Sequence, residues 1–227
     1  MKSYTIIIAS RTGSKRLPGK ALLPLNGIPM LQFLIKRLKS SKRVNNLILA
    51  TTKLSPDDEL EKIATNENIN IYRGSENDVV KRFVEAARSD LSEYIVRVTA
   101  DCPFVDGATL DYCIDQCEKF KTFDLATTKT KFPVGIDFEI YKKSTMADLH
   151  TQQLTEKERE HLTLPIYHRD NTYCVEYLKP LPSWSIQSNL FTVDTPEDYL
   201  FAKEIVNHFG DNYFSVKSLL AFSQANC

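Results

Sequence analysis

The sequence predicts a three-layer α/β fold, in which helices cover both faces of a mainly parallel sheet. Its 227 residues suit one large domain. Hydrophobic residues make up 42% of the chain and charged residues 26%, as is usual for a globular protein. Strand-like and helix-like segments alternate, with short connections, over the first two thirds of the chain, and this alternation is typical of strands joined by crossover helices.

The first element is the β-branched run Tyr4–Ala9, which is typical of a strand buried on both faces. A helix is predicted from Pro29, because four leucine or isoleucine residues then recur at helical spacing. Buried strands and amphipathic helices continue to alternate in the same way. The predicted strands are Tyr4–Ala9, Leu47–Thr51, Ile69–Tyr72 and Tyr94–Val98. The apolar residues of the first predicted helix are Leu31, Leu34, Ile35 and Leu38. The next three predicted helices are Asp57–Asn66, Val79–Arg88 and Ala108–Phe120.

The rhythm changes after Phe123. Val134–Tyr141 alternates in polarity, which predicts a half-exposed strand. The other predicted strands are Asp124–Thr128, Tyr173–Leu178 and Phe191–Val193, and the predicted helices are Glu156–His168, Pro196–Phe209 and Val216–Phe222. We interpret the chain as one Rossmann-like domain over 1–227, with an inserted hairpin and helix subdomain at about 130–180.

Charge and cysteine content exclude several classes of protein. Lys+Arg and Asp+Glu both number 29, whereas a general nucleic-acid binder is usually basic. No apolar run reaches the roughly 18 residues of a membrane span. The five cysteines are odd in number and form no CxxC pair, which favours reduced thiols. We therefore expect a cytoplasmic protein that binds neither nucleic acid nor membrane.

A basic loop, residues 10–20, follows the first strand. It reads Ser-Arg-Thr-Gly-Ser-Lys-Arg-Leu-Pro-Gly-Lys and contains four cations. Ligands of open α/β sheets bind outside the carboxyl ends of the strands, where this loop is predicted to lie. A triphosphate has about the charge needed to neutralise such a cluster. The loop is neither a Walker A sequence nor a G-x-G-x-x-G fingerprint, and a solvated basic turn is the alternative.

Two aspartates are predicted at the same edge of the sheet. Asp101 follows the fourth strand, and Cys102-Pro103 then turns the chain. Asp194 follows the strand at 191–193 and precedes a helix. Magnesium accepts one or two protein carboxylates together with water and phosphate oxygens. An ordinary turn residue is the alternative for Asp101, and a helix cap, with Thr195 as its rival, is the alternative for Asp194.

Motifs in order along the chain carry a family resemblance. The loop motif R-x-G-S-x-R-L-P-G-K resembles that of the cytidylyltransferases that activate acidic sugars, such as the synthetases for the CMP derivatives of Kdo and sialic acid, and more closely that of the SpsF-like branch. Further matching motifs start at Arg73, Arg97, Pro133, Glu158 and Val193: RGSENDV, RVTADCP, PVGID, EREH and VDTPED. The resemblance covers about residues 4 to 209.

The resemblance implies transfer of CMP from CTP to an acidic sugar or similar acceptor, with release of pyrophosphate, in surface polysaccharide or glycoconjugate synthesis. It implies Mg²⁺ as cofactor, held by Asp101 and Asp194, with Arg11, Lys20 and Asp101 as catalytic residues. It also implies a homodimer formed through the segment at about 130–180. The nucleotide-binding residues expected are Ala9, Ser10, Arg11, Thr12, Gly13, Ser14, Arg16, Lys20, Arg73, Ser75 and Arg82. Surface charge is the alternative for Arg73 and Arg82.

Acceptor binding is assigned to two acidic stretches. Asp137 and Glu139 share one face of the predicted alternating strand. They could hydrogen-bond sugar hydroxyls, or they could simply form the solvent-exposed face of that strand. Glu160 and His161 lie in the EREH motif, and a helical histidine that merely packs is the alternative for His161.

Three other functions stay open. The acceptor could be a phosphorylated alditol or a phosphonate in a related nucleotidyl transfer. A sugar-nucleotide-dependent glycosyltransferase would typically show an Asp-x-Asp motif, whereas Cys102 and Pro103 follow Asp101 here. A non-catalytic nucleotide-binding protein is disfavoured by the basic loop together with Asp101 and Asp194.

Overall fold

The computed structural model describes residues 2–44, 46–169, 172–182, 184 and 191–225. The strands are β1 (Tyr4–Ala9), β2 (Pro24–Leu25), β3 (Ile28–Pro29), β4 (Asn46–Thr52), β5 (Asn70–Gly74), β6 (Tyr94–Thr99), β7 (Leu125–Thr127), β8 (Glu139–Lys142) and β9 (Val175–Tyr177). The α-helices are α1 (Met30–Leu38), α2 (Asp58–Asn66), α3 (Val79–Ala86), α4 (Gly107–Cys117), α5 (Lys143–His150), α6 (Glu156–Glu160), α7 (Leu164–His168), α8 (Pro196–Phe209) and α9 (Val216–Ala225). Short 3-10 helices span Lys20–Leu22 and Ser55–Asp57.

A seven-stranded sheet, in the order β5-β4-β1-β6-β8-β7-β9, forms the centre of the described residues. Strand β1 pairs in parallel with β4 and β6, and β4 pairs in parallel with β5. Strand β8 runs antiparallel between β6 and β7. The predicted mainly parallel sheet is therefore confirmed, and the carboxyl ends of β1, β4 and β6 meet at one edge.

Both faces of the sheet are covered. Ile6 and Ile8 pack in the core on one side, and Ile7 packs in the core on the other. All three side chains are fully buried, which explains the unbroken apolar run of β1. Residues 130–180 supply β8 and β9 to this same sheet, and α5, α6 and α7 to its surroundings.

The strand predicted over Val134–Tyr141 is shorter and more buried than expected. Strand β8 begins only at Glu139, and its first three residues are buried. Ile140 enters one core and Tyr141 the other, so the prediction of a half-exposed strand was wrong. The sequence alternates in polarity because both faces of β8 are covered and Glu139, a charged residue, is buried on one of them.

The helix predicted over Glu156–His168 is two helices, α6 and α7, which are separated around His161. Pro165 explains the break, because proline lacks the amide hydrogen and its ring clashes with the carbonyl four residues earlier.

Residues 191–193 are not a strand of the sheet. The Phe191 amide donates to the Val134 carbonyl at 2.9 Å, and the Val193 amide donates to the Asp101 carbonyl at 2.8 Å. These residues therefore link two loops instead of joining a strand ladder. Gly135 permits the approach, because a Cβ there would lie 2.3 Å from the Phe191 carbonyl carbon, and its φ of +88° is unfavourable for other residues.

The cysteines that the structure describes are free, and Cys227 lies outside the described residues. Within the described part of the chain, we find no helix with both the length and the apolar character needed to cross a bilayer. Trp184 is buried in the core between the rings of Tyr112 and Phe132.

Candidate active site

The basic loop is fixed at the carboxyl edge of the sheet by a buried carboxylate. The backbone amide and the hydroxyl of Thr12 both donate to Asp57 Oδ1, at 2.8 and 2.7 Å. Asp57 also accepts bonds from the hydroxyls of Thr51 and Thr52. Burial alone raises the pKa of Asp57, but these hydrogen bonds outweigh burial and lower it. The loop therefore begins from a rigid point.

The carbonyl of Thr12 closes the loop. It accepts from the amide of Ser14 at 2.8 Å and from that of Gly19 at 3.0 Å. Gly19 has a φ of +67°, the left-handed conformation that glycine adopts at no steric cost, and it begins the 3-10 helix that contains Lys20. Lys15 and Arg16, which lie between Thr12 and Gly19, therefore extend from a closed turn.

Lys20 joins the basic loop to both predicted metal ligands. Its ammonium lies 2.9 Å from Asp101 Oδ2 and 2.8 Å from Asp194 Oδ1, and it also donates to the Val193 carbonyl at 3.0 Å. The Lys20 side chain is only 12% exposed. Burial lowers the pKa of Lys20, but the charge of Asp101 and the bond to Asp194 outweigh burial and raise it. The structure thus brings together three residues that are far apart in sequence.

The pKa of Asp101 is lowered by the same ion pair. Burial by itself raises this pKa, and the Lys20 charge and the hydrogen bonds from Thr99 and Lys20 reverse the effect. Asp101 is therefore an ionised carboxylate at neutral pH, as a metal ligand must be.

Asp194 is not the cap of the helix that follows it. Thr195 is the N-cap of α8, since its side chain accepts from the amide of Asp198 in a capping box. Asp198 in turn accepts from the amides of Asp194 and Thr195. The Asp194 carboxylate is left to pair with Lys20 and, at 2.8 Å, with Arg16.

A second group of charges surrounds Arg11. Its guanidinium lies 3.8 Å from Glu76 and 3.9 Å from Glu160, and its side chain is 41% exposed. Arg82 is only 4% exposed and donates to the Ser75 carbonyl at 2.8 Å, while its Nε has no hydrogen-bond partner within the described residues. Burial lowers the pKa of Arg82, and the charge of Arg11 adds to this. Arg11 and Arg82 thus lie near each other, and Glu76 offsets part of the charge of both.

Gly74 makes the position of Arg82 possible. A Cβ on Gly74 would lie 2.6 Å from the Tyr72 ring and 3.0 Å from Arg82 Cγ. This close packing explains the glycine of the RGSENDV motif without any need for an unusual backbone angle.

Some of the residues predicted to bind nucleotide are bonded to other protein groups or are buried. Arg73 pairs with Asp58 and Glu61 of α2, at 2.7 and 2.6 Å, so its guanidinium ties that helix to β5. The Ser75 hydroxyl accepts from the Asp78 amide. The Ser10 hydroxyl, just past Ala9 at the end of β1, is buried with no hydrogen-bond partner among the described residues.

The predicted acceptor residues separate into two kinds. His161 is exposed at the end of α6, and Glu160 is exposed beside Arg11. Asp137 accepts from the Gly135 amide at 2.7 Å. Glu139, by contrast, has a fully buried side chain.

Glu139 is the centre of a network that sequence analysis missed. Its carboxylate pairs with Arg97 at 2.8 Å and with Lys129 at 2.9 Å. It also accepts from the hydroxyls of Thr163 and Tyr167, at 2.8 and 2.9 Å. These bonds tie β6, β7 and the region of α7 together, and they hold Arg97 and Lys129 in place. The one signal that could have predicted this network is the opposite charge of Arg97 and Glu139, which are register partners on the neighbouring strands β6 and β8.

The donor set at Lys20 suits a magnesium ion. Asp101 and Asp194 supply hard oxygen ligands, and magnesium takes one or two carboxylates together with substrate phosphates and water. Among the described residues, no group of three or more His, Cys, Asp or Glu side chains could hold a metal.

The open α/β sheet, with a closed basic loop and two carboxylates at its carboxyl edge, defines a nucleotide-binding protein equipped for nucleotidyl transfer. The family model described as cytidylyltransferase matches residues 5–220. The chain therefore belongs to the cytidylyltransferase family, and it is an enzyme of that type.

Individual relatives agree with this assignment. The spore coat polysaccharide biosynthesis protein SpsF of Bacillus subtilis (strain 168) is 33% identical over 219 residues, which cover 93% of this chain and 89% of that protein. The structure of a cytidylyltransferase from Leptospira borgpetersenii serovar Hardjo-bovis (strain JB197) superposes with a TM-score of 0.93 at 30% identity, covering 100% of this chain and 95% of the other.

A more distant structure shares the fold. CMP:2-keto-3-deoxy-manno-octonic acid synthetase, complexed with CTP, superposes with a TM-score of 0.71 at 16% identity, covering 91% of this chain and 99% of the other. The predicted fold class and the predicted family are thus confirmed.

Proposed function

We propose that this cytidylyltransferase transfers CMP from CTP to an acidic sugar or similar acceptor and releases pyrophosphate. The observation that supports the proposal is the contact of Lys20 with Asp101 and Asp194, because the cation that would bind phosphate and the two acids that would bind the metal then lie together. Similarity to SpsF, whose name refers to spore coat polysaccharide, supports a role in surface polysaccharide or glycoconjugate synthesis.

The loop cations bind the triphosphate in this proposal. Arg11, Arg16 and Lys20 lie in the loop that follows the carboxyl end of β1, and the buried Arg82 adds a positive charge near Arg11. The anchor of the loop on Asp57 fixes the backbone from which these side chains extend, so that little backbone movement is needed when the triphosphate binds.

Asp101 and Asp194 would hold Mg²⁺. A bound magnesium ion neutralises charge that develops on the leaving pyrophosphate. The acceptor hydroxyl oxygen attacks the α-phosphorus in line and gives up its proton to solvent, while the bond from that phosphorus to the bridging oxygen of pyrophosphate breaks. Lys20 and Arg16 then bind the pyrophosphate oxygens as their charge increases.

The acceptor would lie between the Arg11 group and the Glu139 network. Asp137, Glu160 and His161 are the predicted acceptor ligands at the surface. Glu139 is enclosed, so we infer that it acts on an acidic acceptor through the two cations it holds, Arg97 and Lys129. We also propose a cytoplasmic homodimer in which the segment at about 130–180 forms the subunit contact.

Pyrophosphate release tests this function. The purified protein is incubated with Mg²⁺, each of the four common nucleoside triphosphates in turn, and a panel of nonulosonic acids, phosphorylated alditols and phosphonates. We expect release only with CTP and an acidic sugar, and none from the Asp101→Asn variant. Faster turnover with another triphosphate would overturn the choice of CTP, and turnover only with an alditol phosphate or phosphonate would overturn the acceptor class.

A further inference from the structure

The Lys20 ammonium occupies the position between the two carboxylates that a divalent cation would need. It contacts Asp101 at 2.9 Å and Asp194 at 2.8 Å, both of which are hydrogen-bond distances to charged acceptors. The same ammonium also bonds the Val193 carbonyl at 3.0 Å. All three of its N–H donors therefore have partners on the acidic side of the site.

In this arrangement Lys20 neutralises the two carboxylates, so its ammonium is not available to bind phosphate. The two carboxylates lie within reach of one nitrogen atom, so each raises the free energy of the other's charge unless a cation lies between them. Lysine is a compact charge on a flexible four-carbon stem, and it can turn toward another anion without any movement of the backbone. Its backbone is meanwhile fixed by Gly19 and by the 3-10 helix.

We propose that Lys20 is an exchangeable counter-ion, which occupies the metal position until a triphosphate draws its ammonium away. A divalent ion then reaches Asp101 and Asp194 only in exchange for Lys20, so the free enzyme binds the metal weakly and binds it well together with the nucleotide. This inference rests on the proposed function, because it takes Asp101 and Asp194 as the metal ligands. It assigns Lys20 a second role besides phosphate binding, that of setting the order in which metal and nucleotide bind.

Manganese binding without nucleotide tests the exchange directly. Free Mn²⁺ is counted by electron paramagnetic resonance while the protein is titrated with the metal alone. We expect Lys20→Met to bind one Mn²⁺ at least about tenfold more tightly than the wild type, because the ion no longer displaces the Lys20 ammonium from both acids and only the exposed Arg16 still pairs with Asp194. The gain should vanish in the double variant Lys20→Met, Asp101→Asn, which shows that the metal lies on the carboxylates.

Lys15→Met is the matched control, since it removes the same charge from the same loop. Lys15 is exposed and forms no ion pair in the described part of the chain. Its charge is screened at physiological salt, so its loss should change Mn²⁺ affinity by less than about twofold. Equal affinities of Lys20→Met and the wild type, or equal gains in both lysine variants, would overturn the proposal.

Wild-type protein provides a second test that does not depend on the folding of a variant. The rate at which an amine-acylating ester modifies Lys20 is followed by peptide mass spectrometry, with Lys15 as the internal reference. The Lys20 amine is protected by burial and by its ion pairs, so it should react slowly, and saturating Mn²⁺ without nucleotide should speed its modification at least about threefold. An unchanged rate in saturating Mn²⁺ would overturn the exchange.

Neither measurement uses an acceptor or turnover. If the protein binds Mn²⁺ as expected but transfers no CMP, the proposed reaction is wrong and the exchange stands. If CMP transfer is found and Lys20→Met shows no gain in Mn²⁺ affinity, the exchange is wrong and the reaction stands.

Discussion

Arg82 is a cation that the fold has almost removed from water. Its guanidinium has one bond to the Ser75 carbonyl, and the nearby charge of Arg11 opposes its own. Such a group is costly to bury unless an anion completes its surroundings. The carboxylates of Asp57, Glu76 and Asp78 offset part of this cost, and we expect phosphate oxygens of the nucleotide to offset more of it.

We therefore expect Arg82→Met to raise the KM for CTP about tenfold or more, since a charge-assisted contact in a water-poor site is lost. Lys81→Met is the matched control, because Lys81 is exposed on the same helix, and its KM should stay within about twofold of the wild type. Steady-state kinetics with varied CTP measure both. A wild-type KM in Arg82→Met would show that Arg82 has only a structural role.

At the scale of single residues, sequence predicted Lys20, Asp101 and Asp194 as site residues, and the structure brings these three side chains together. The sequence did not single out Asp57, and it assigned Glu139 to acceptor binding and not to a buried ion-pair network. Their roles depend on partners brought by other elements: Thr12 lies 45 positions from Asp57, and Arg97 lies 42 positions from Glu139. A buried acid looks like any other acid until the fold shows what surrounds it.

At the scale of elements, local periodicity predicted well where one pattern governed one segment. Strand β1 and helix α8 have the predicted bounds, because a β-branched run and a capped, proline-started helix are local signals. The helix predicted over Glu156–His168 was wrong because it ignored Pro165, a local signal that ends α6 and begins α7. The strand predicted over Phe191–Val193 was wrong because these residues bond to loops that sequence could not place.

Two adjacent residues at the start of α8 have different predicted roles, Asp194 in catalysis and Thr195 in stability. Thr195 caps the helix, so Thr195→Ala should lower the free energy of unfolding by about 1 kcal/mol and leave kcat nearly unchanged. Asp194 is not the cap, so Asp194→Asn should keep the stability within about 0.5 kcal/mol but lower kcat by about a hundredfold or more. Urea denaturation and steady-state kinetics at saturating Mg²⁺ measure the two effects. If Asp194→Asn keeps its turnover, the two-carboxylate metal site is wrong.

At the scale of the whole molecule, the Glu139 network ties three parts of the fold together through one buried charge. Burial raises the pKa of Glu139, but Arg97 and Lys129 outweigh burial and lower it below its ordinary value of 4.5. A carboxyl with a depressed folded-state pKa stabilises the fold above its unfolded-state pKa. That contribution is lost as the pH falls through the folded-state pKa.

Glu139→Gln should therefore lower the free energy of unfolding by about 1–2 kcal/mol at pH 7, because the partly exposed Arg97 and Lys129 lose the buried charge with which they pair. The difference from the wild type should begin to shrink as the pH falls below 4.5, where the carboxyl of the unfolded chain takes up a proton, and it should be lost as the pH falls through the lower folded-state pKa. Urea denaturation at a series of pH values measures this difference. A difference that stays constant down to pH 3 would show that the charge of Glu139 does not stabilise the fold.

The segment at 130–180 has exposed apolar side chains that a subunit contact would cover. Val134 is 50% exposed and Tyr177 is 49% exposed, and Tyr177 lies on β9 at the edge of the sheet. We expect light scattering at micromolar concentration to give about twice the chain mass of 26.0 kDa. Tyr177→Lys should reduce this to the monomer mass, whereas Tyr213→Lys, a similarly exposed tyrosine outside the segment, should not. A monomer mass for the wild type would refute the contact.

The contact between Lys20 and Asp194 spans 174 positions of the chain, and this span sets when the active site can form during synthesis. Strands β1, β4, β5 and β6 lie within the first hundred residues and can pack as soon as they leave the ribosome. Contacts of such long sequence separation form late. In refolding followed by pulsed hydrogen exchange, the Thr12 amide, bonded to Asp57, should gain protection before the Val193 amide, bonded to Asp101. The opposite order would mean that the site helps to nucleate the fold. A nascent chain that has not yet reached Asp194 thus has the loop anchor but lacks the second acid.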